Sequence, residues 1–347
     1  MTGGVPMKQR DAFFDNAKSF LIVLVVFAHL LRGDIESNTI FSALYSTIFS
    51  FHMPAFVLIS GYFAKGDFNW RRLRKLAKKL LIPYFLFQIL YTLFYSFIVK
   101  TDTFSLNFFY PRWSLWYLLS LFCWQGMLPL YLKMKKGTAL FLSILSGVGI
   151  GYLDPVGKFL SLSRTFVFFP FFLVGYFIKE KQVLQSHSKG KSLLTVFLLA
   201  VLFISFTIQP WTDFRWFYGS LPYSHLDLDG FEGGIVRLLL YAIAFLLAIN
   251  FFSLVPEKKS TFTRWGQHSI YVYLLHGFIV KSIRFLIHQK NLDLPIIAYA
   301  LLAVAITAFL SSPGVIYATK GFVEGTIFEQ FRKFFHLFPI RKHRFSH

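Results

Sequence analysis

Long apolar runs dominate this chain, broken at near-regular intervals by short polar segments. The runs fall at about residues 14–31, 41–64, 76–99, 115–132, 139–153, 164–179, 193–209, 233–255, 269–287 and 294–319. As helices they match a hydrocarbon core about 30 Å thick, although those at 139–153 and 164–179 are short for it. The pattern predicts an all-α, polytopic integral membrane protein with about ten transmembrane helices, its bundle covering 13–319. The stretches between, chiefly 65–75, 210–232 and 320–347, are too short to build a core of their own, so residues 1–347 read as a single membrane-embedded domain.

Composition agrees, with 55% hydrophobic residues, 46 of them Phe, and 15% charged. The charge distribution adds orientation. With the N-terminus inside, the inner segments hold 25 of the 36 Lys and Arg and the outer segments only seven. That asymmetry predicts both termini in the cytoplasm of a bacterial-type cell membrane, N-in/C-in and multi-pass. It also removes nucleic acid as the meaning of the +20 net charge. Asp15 and Lys18 interrupt the start of the first run, and no small-residue cleavage pattern precedes Arg32, which argues against a signal peptide.

In the tail, Ile327, Phe328, Phe331, Phe334, Phe335 and Phe338 recur at helical spacing beside Arg332 and Lys333. They predict a basic amphipathic helix along the inner leaflet. The outer 210–232 loop combines Trp211, Trp216, Tyr218 and Tyr223 with Asp213, Asp227, Asp229 and Glu232, a mixture that suits sugar binding or an interfacial aromatic belt.

Candidate chemistry begins with Asp15, Lys18 and His29 in the first run. Charged groups at membrane depth are costly and tend to be functional. Asp15 and Lys18, three residues apart, can pair; His29 follows Lys18 by eleven residues, about 16 Å along one face. An imidazole has an ordinary pKa of about 6.5, which suits a general base. His52 lies beside Pro54 in the second run, where the proline frees a backbone carbonyl, and His276 gives a third intramembrane imidazole. No carboxylate or cysteine joins the three histidines at ligand spacing, so no metal is expected. The single Cys123 excludes an intramolecular disulfide. Arg71, Arg72, Arg74 and Lys75 form a cytoplasmic cluster of the kind that holds phosphate, or a plain topology signal. From these residues alone, an enzyme and a proton-coupled secondary transporter with an Asp/Lys/His relay both remain open.

Taken together, the motifs resemble the integral-membrane acyltransferase 3 family. The Lys18-x10-His29 helix is similar to its Arg/Lys-x10-His signature, the Phe51-to-Phe63 segment to its second-helix motif, and Arg71-x-x-Arg74 to its cytoplasmic Arg-x-x-Arg. Phe169-Pro170-Phe171-Phe172-Leu173-Val174-Gly175-Tyr176 and Ser269-to-His276 also fit. The resemblance implies transfer of an acyl group, usually acetyl from acetyl-CoA, to a hydroxyl of an extracytoplasmic carbohydrate or lipid-linked sugar. It makes His29 the essential catalytic group, with Lys18 and Asp15 supporting it. Acyl-CoA would be held by Arg71, Arg74, Lys75, His52 and His276. Lys18 stands where many members carry Arg, which weakens the case for a bidentate contact there. No fused extracytoplasmic hydrolase-like domain is evident, so the membrane domain is expected to complete the transfer itself.

Overall fold

Each apolar run folds as helix, and several helices start at a side-chain cap. Asp11 accepts from the Phe13 amide, Asn38 from Phe41, Asn69 from Arg71 and Arg72, and Ser188 from Lys191, each satisfying donors that an N-terminus leaves open. The computed structural model describes residues 11–67, 69–99, 104–178, 184–185, 188–228 and 230–327, and no strand occurs among them. The amphipathic tail expected from Ile327 to Phe338 lies almost wholly outside the described residues.

The helices are α1 (Ala12–Leu31), α2 (Thr39–Tyr62), α3 (Trp70–Leu93, continued by a π turn Phe94–Val99), α4 (Trp116–Tyr131), α5 (Lys136–Gly149), α6 (Leu162–Phe177), α7 (Lys189–Ile208), α8 (Phe231–Phe251), α9 (Thr263–Gln267), α10 (Ser269–Gln289), α11 (Ile296–Leu310) and α12 (Pro313–Val323). Seven described helices are long and apolar enough to cross a membrane, or eight if α11 and α12, bent by 70°, are one broken span. The bend falls at Ser311-Ser312-Pro313, where proline takes the first position of α12. The remaining two predicted spans, α4 and α5, are 16 and 14 residues long, about 24 and 21 Å.

Contacts define two ends of the bundle. At one, Asn16 at the start of α1 donates to Pro256 O at 2.7 Å, Ser192 at the start of α7 donates to Ser253 O beyond α8 at 3.0 Å, and Tyr271 at the start of α10 donates to Glu324 beyond α12 at 2.8 Å. At the other, Tyr299 of α11 donates to Asp34 beyond α1 at 2.6 Å, and Tyr223 donates to Val148 O near the end of α5 at 2.9 Å. Between them, α2 and α6 pack backbone to backbone. A Cβ on Gly61 would collide with the Phe172 carbonyl and one on Gly175 with the Leu58 carbonyl, so only glycine permits this approach.

Candidate active site

One face of α1 builds the site. Lys18, Ile22, Val25, His29 and Arg32 recur every three or four residues and line a single cavity of about 780 Å³. This stripe is about 21 Å long, so the cavity follows the helix for most of its length. Tyr45, Phe49, His52, Met53, Phe56 and Ser60 supply a similar stripe from α2, with Ser269, Ile270, Tyr273, Lys281 and Arg284 from α10.

The opposite face of α1 is locked. Asn16 accepts from Thr263 at 2.6 Å, and Ser19 Oγ accepts from the Gly266 amide at 2.7 Å. Gly266 lies so close to the Asp15 carbonyl that a Cβ there would collide with it. These bonds join α1 to the short α9 and fix which residues face the cavity. Within the first turns, Lys18 Nζ donates to Asp15 Oδ1 at 2.6 Å; Asp15 is buried while Lys18 reaches the cavity.

Deeper in, Trp113 Nε1 donates to His29 Nε2 at 3.3 Å. The His29 ring centre is 5.4 Å from that of His276 and 5.0 Å from that of Trp113. A carbonyl can only accept, so His276 Nδ1 donates to Val272 O and Tyr273 O at 2.9 and 2.8 Å, and His52 Nδ1 donates to Ile48 O at 2.8 Å. Each ring is thereby oriented by its own helix. Among the described residues, His276 Nε2 is buried with no hydrogen-bond partner.

The loop before α4 delivers Trp113. Buried Gln88 of α3 donates to Asn107 O and Tyr110 O at 2.6 and 3.0 Å and accepts from the Arg112 amide at 2.9 Å. Trp113 itself has a φ of +49°, a region in which a bulky side chain is strained. The surroundings hold it there, with its indole 5.0 and 5.6 Å from the His29 and His276 ring centres and the Lys281 ammonium 5.1 Å from its own.

The structure therefore gathers Lys18, His29 and His52 on one cavity, with Asp15 and His276 immediately behind its wall. It does not bring Arg71, Arg74 or Lys75 to that wall: they lie exposed on the first turns of α3. In the 210–232 loop, Trp216 and Tyr223 are buried and stack on each other at 5.2 Å, so they pack the loop rather than face a ligand. Tyr218 lines the cavity, its hydroxyl 2.7 Å from that of Tyr45. Sequence reasoning assigned no role to Trp113, Arg112, Arg164, Lys281 or Arg284, all of which line the cavity. The signal available was charge left inside apolar segments, since Lys281 and Arg284 follow His276 on α10. Among the described residues, no group of three or more His, Cys, Asp or Glu is arranged to hold a metal ion.

A family model described as an acyltransferase domain matches residues 11–312, so the chain belongs to the acyltransferase 3 family and is a transferase enzyme. With several membrane-length helices it is a multi-pass membrane protein. Membership also decides between enzyme and transporter in favour of the enzyme. The chain is similar to the nodulation protein NolL of Sinorhizobium fredii, 29% identical over 298 residues that cover 78% of each chain. A segment is similar to the nodulation protein NolL of Mesorhizobium japonicum, 45% identical over 60 residues, 16% of each chain. No solved structure matches it.

Proposed function

We propose that the chain is one membrane-embedded O-acyltransferase domain of ten spans, with both termini cytoplasmic. It moves an acyl group, usually acetyl, from cytoplasmic acyl-CoA to a hydroxyl of an extracytoplasmic carbohydrate or glycolipid at the cell membrane. The observation that carries this reading is the cavity running along α1 from Lys18 to Arg32 with His29 in its wall. A reaction between compartments needs such a passage. The end-to-end contacts support the topology, because they fit α1, α3, α5, α7 and α10 running one way and the other spans running back, which ten crossings require.

Acyl-CoA approaches from the Lys18 end, its phosphates held outside the cavity by Arg71, Arg74 and Lys75, and its thioester reaches inward. At the other end an acceptor hydroxyl displaces the Trp113 N–H from His29 Nε2. His29 takes the hydroxyl proton as the oxygen attacks the thioester carbonyl; the C–O bond forms, the C–S bond breaks, and the CoA thiolate leaves with that proton. Asp15 fixes Lys18 at the entrance. His276 and His52 shape the imidazole cluster around the reacting atoms.

Sidedness tests the scheme. In a Cys123→Ala background, His225→Cys, exposed in the loop after α7, should react with an impermeant maleimide only from outside, and Lys189→Cys only from the cytoplasm. Mass spectrometry of surface glycans should lose one acyl mass when the gene is deleted. Labelling of His225→Cys from the cytoplasm alone, or glycans unchanged by deletion, would overturn the proposal.

A further inference from the structure

Beyond His29, the cavity wall is cationic. Arg32, Arg112, Arg164, Lys281 and Arg284 line it, and among the described residues no Asp or Glu does. Guanidinium groups stay charged, and charge enclosed at membrane depth is costly unless balanced. Arg32 is partly balanced by Glu36 at 3.2 Å. Among the described residues Arg164 has no such partner: its Nε donates to the Tyr218 carbonyl at 3.1 Å and its guanidinium lies 5.0 Å from the Trp116 ring centre, neither of which brings a negative charge. Arg284 Nε is buried without a hydrogen-bond partner among the described residues. The carboxylate that attracts it, Asp34, already accepts from Tyr299 at 2.6 Å.

Resting on the proposed reaction, we infer that this half of the cavity binds a phosphate or diphosphate carried by the acceptor, so that the acyl-accepting sugar is a sugar phosphate. Forked guanidinium donors from different elements suit an oxyanion with several acceptor atoms. More than one cation favours a multiply charged group over a single carboxylate. The donor's own phosphates fit poorly. Arg32 is one turn, about 4.5 Å, beyond His29, whereas the thioester of acyl-CoA stands at the end of a long arm. Phosphates held here would carry that thioester past the base.

The test uses the full chain in nanodiscs of zwitterionic lipid, with inorganic pyrophosphate as probe. Titration should change the intrinsic tryptophan fluorescence, because Trp113 and Trp116 adjoin the arginines, and Arg164→Gln with Arg284→Gln should weaken that response by about tenfold or more. In transfer assays with acetyl-CoA, a glycosyl phosphate should outperform the same sugar without phosphate. The double variant should erase the preference through the acceptor KM, and Arg164→Lys with Arg284→Lys should restore part of it in protein of unchanged elution profile. Equal use of both sugars by the wild type, or no pyrophosphate response, would overturn the inference. A loss confined to the donor KM would also overturn it and assign the arginines to the donor. Pyrophosphate binding without transfer to any sugar would instead fail the proposed reaction while leaving the anion site standing.

Discussion

Two basic clusters flank the proposed reaction site, and they differ in almost every physical respect. Arg71, Arg72, Arg74 and Lys75 are contiguous and lie on the first turns of α3; Arg72 pairs with Asp67 at 2.8 Å and the others are exposed. The second cluster draws on residues from 32 to 284 and encloses the cavity beyond His29. Charges 4 Å apart interact by about 1 kcal/mol in water and about 4 kcal/mol at an effective dielectric of 20. The exposed cluster is a weak, tunable attractor for an anion. In the enclosed one each charge acts more strongly on its neighbours and on any anion that enters.

The comparison matters only if the reaction takes place between the clusters. His29→Ala should lower acyl transfer by about 10²–10⁴-fold, the usual cost of losing a general base. The substitution adds no charge to α1, so membrane-fraction yield and elution profile should stay normal. A well-expressed variant with near-normal transfer would break the assignment and leave both clusters without a common purpose.

Much of this was legible in the chain. All ten apolar runs are helical, and the polar positions of α1 announced the face that lines the cavity because its Lys18-to-His29 spacing closes on one side of a helix. Arg32 continues that stripe, yet in the sequence it reads only as an outer-loop charge. Arg112 and Arg164 read likewise, and Lys281 and Arg284 as stray charges in a span. Their convergence depends on contacts such as Asn16 with Pro256 and Tyr299 with Asp34, which no local pattern encodes. The aromatic loop misled for a related reason. Trp216 and Tyr223 have the composition of a sugar platform, but Arg237 donates to Trp216 O at 3.0 Å and Tyr223 to Val148 O, and those bonds turn both rings inward. The bend between α11 and α12 was written in Ser311-Ser312-Pro313, inside a run that hydropathy alone joins.

A subtler change sharpens the comparison. Trp113→Phe keeps an aromatic face beneath Lys281 and beside His29 but removes the N–H that meets His29 Nε2. A hydrogen bond of this kind is worth about 1 kcal/mol, and the acceptor would no longer have to displace it, so kcat/KM for the acceptor should rise by up to about fivefold. If Trp113 only parks the imidazole until the acceptor arrives, the gain appears as a lower acceptor KM, with kcat and the donor KM nearly constant. A rise in the acceptor KM would place the indole among the acceptor contacts instead.

The smallest effect per group removed belongs to the exposed cluster. Arg71→Gln with Arg74→Gln removes two solvent-screened attractions, each worth a few tenths to about 1 kcal/mol, so the donor KM should rise roughly twofold to thirtyfold with kcat preserved. Salt should imitate the substitution, since the Debye length falls from about 10 Å at 0.1 M to about 3 Å at 1 M, shorter than the approach of an anion to an open helix turn. The enclosed arginines lie behind low-dielectric walls, so the acceptor KM should respond far less to the same salt series. Measured together, the two salt slopes test the distinction directly. If the donor KM ignored both salt and substitution, the exposed cluster would be a topology signal alone. If the two slopes were equal, the cavity would be open to bulk electrolyte and its cations would have no more selectivity than those on α3.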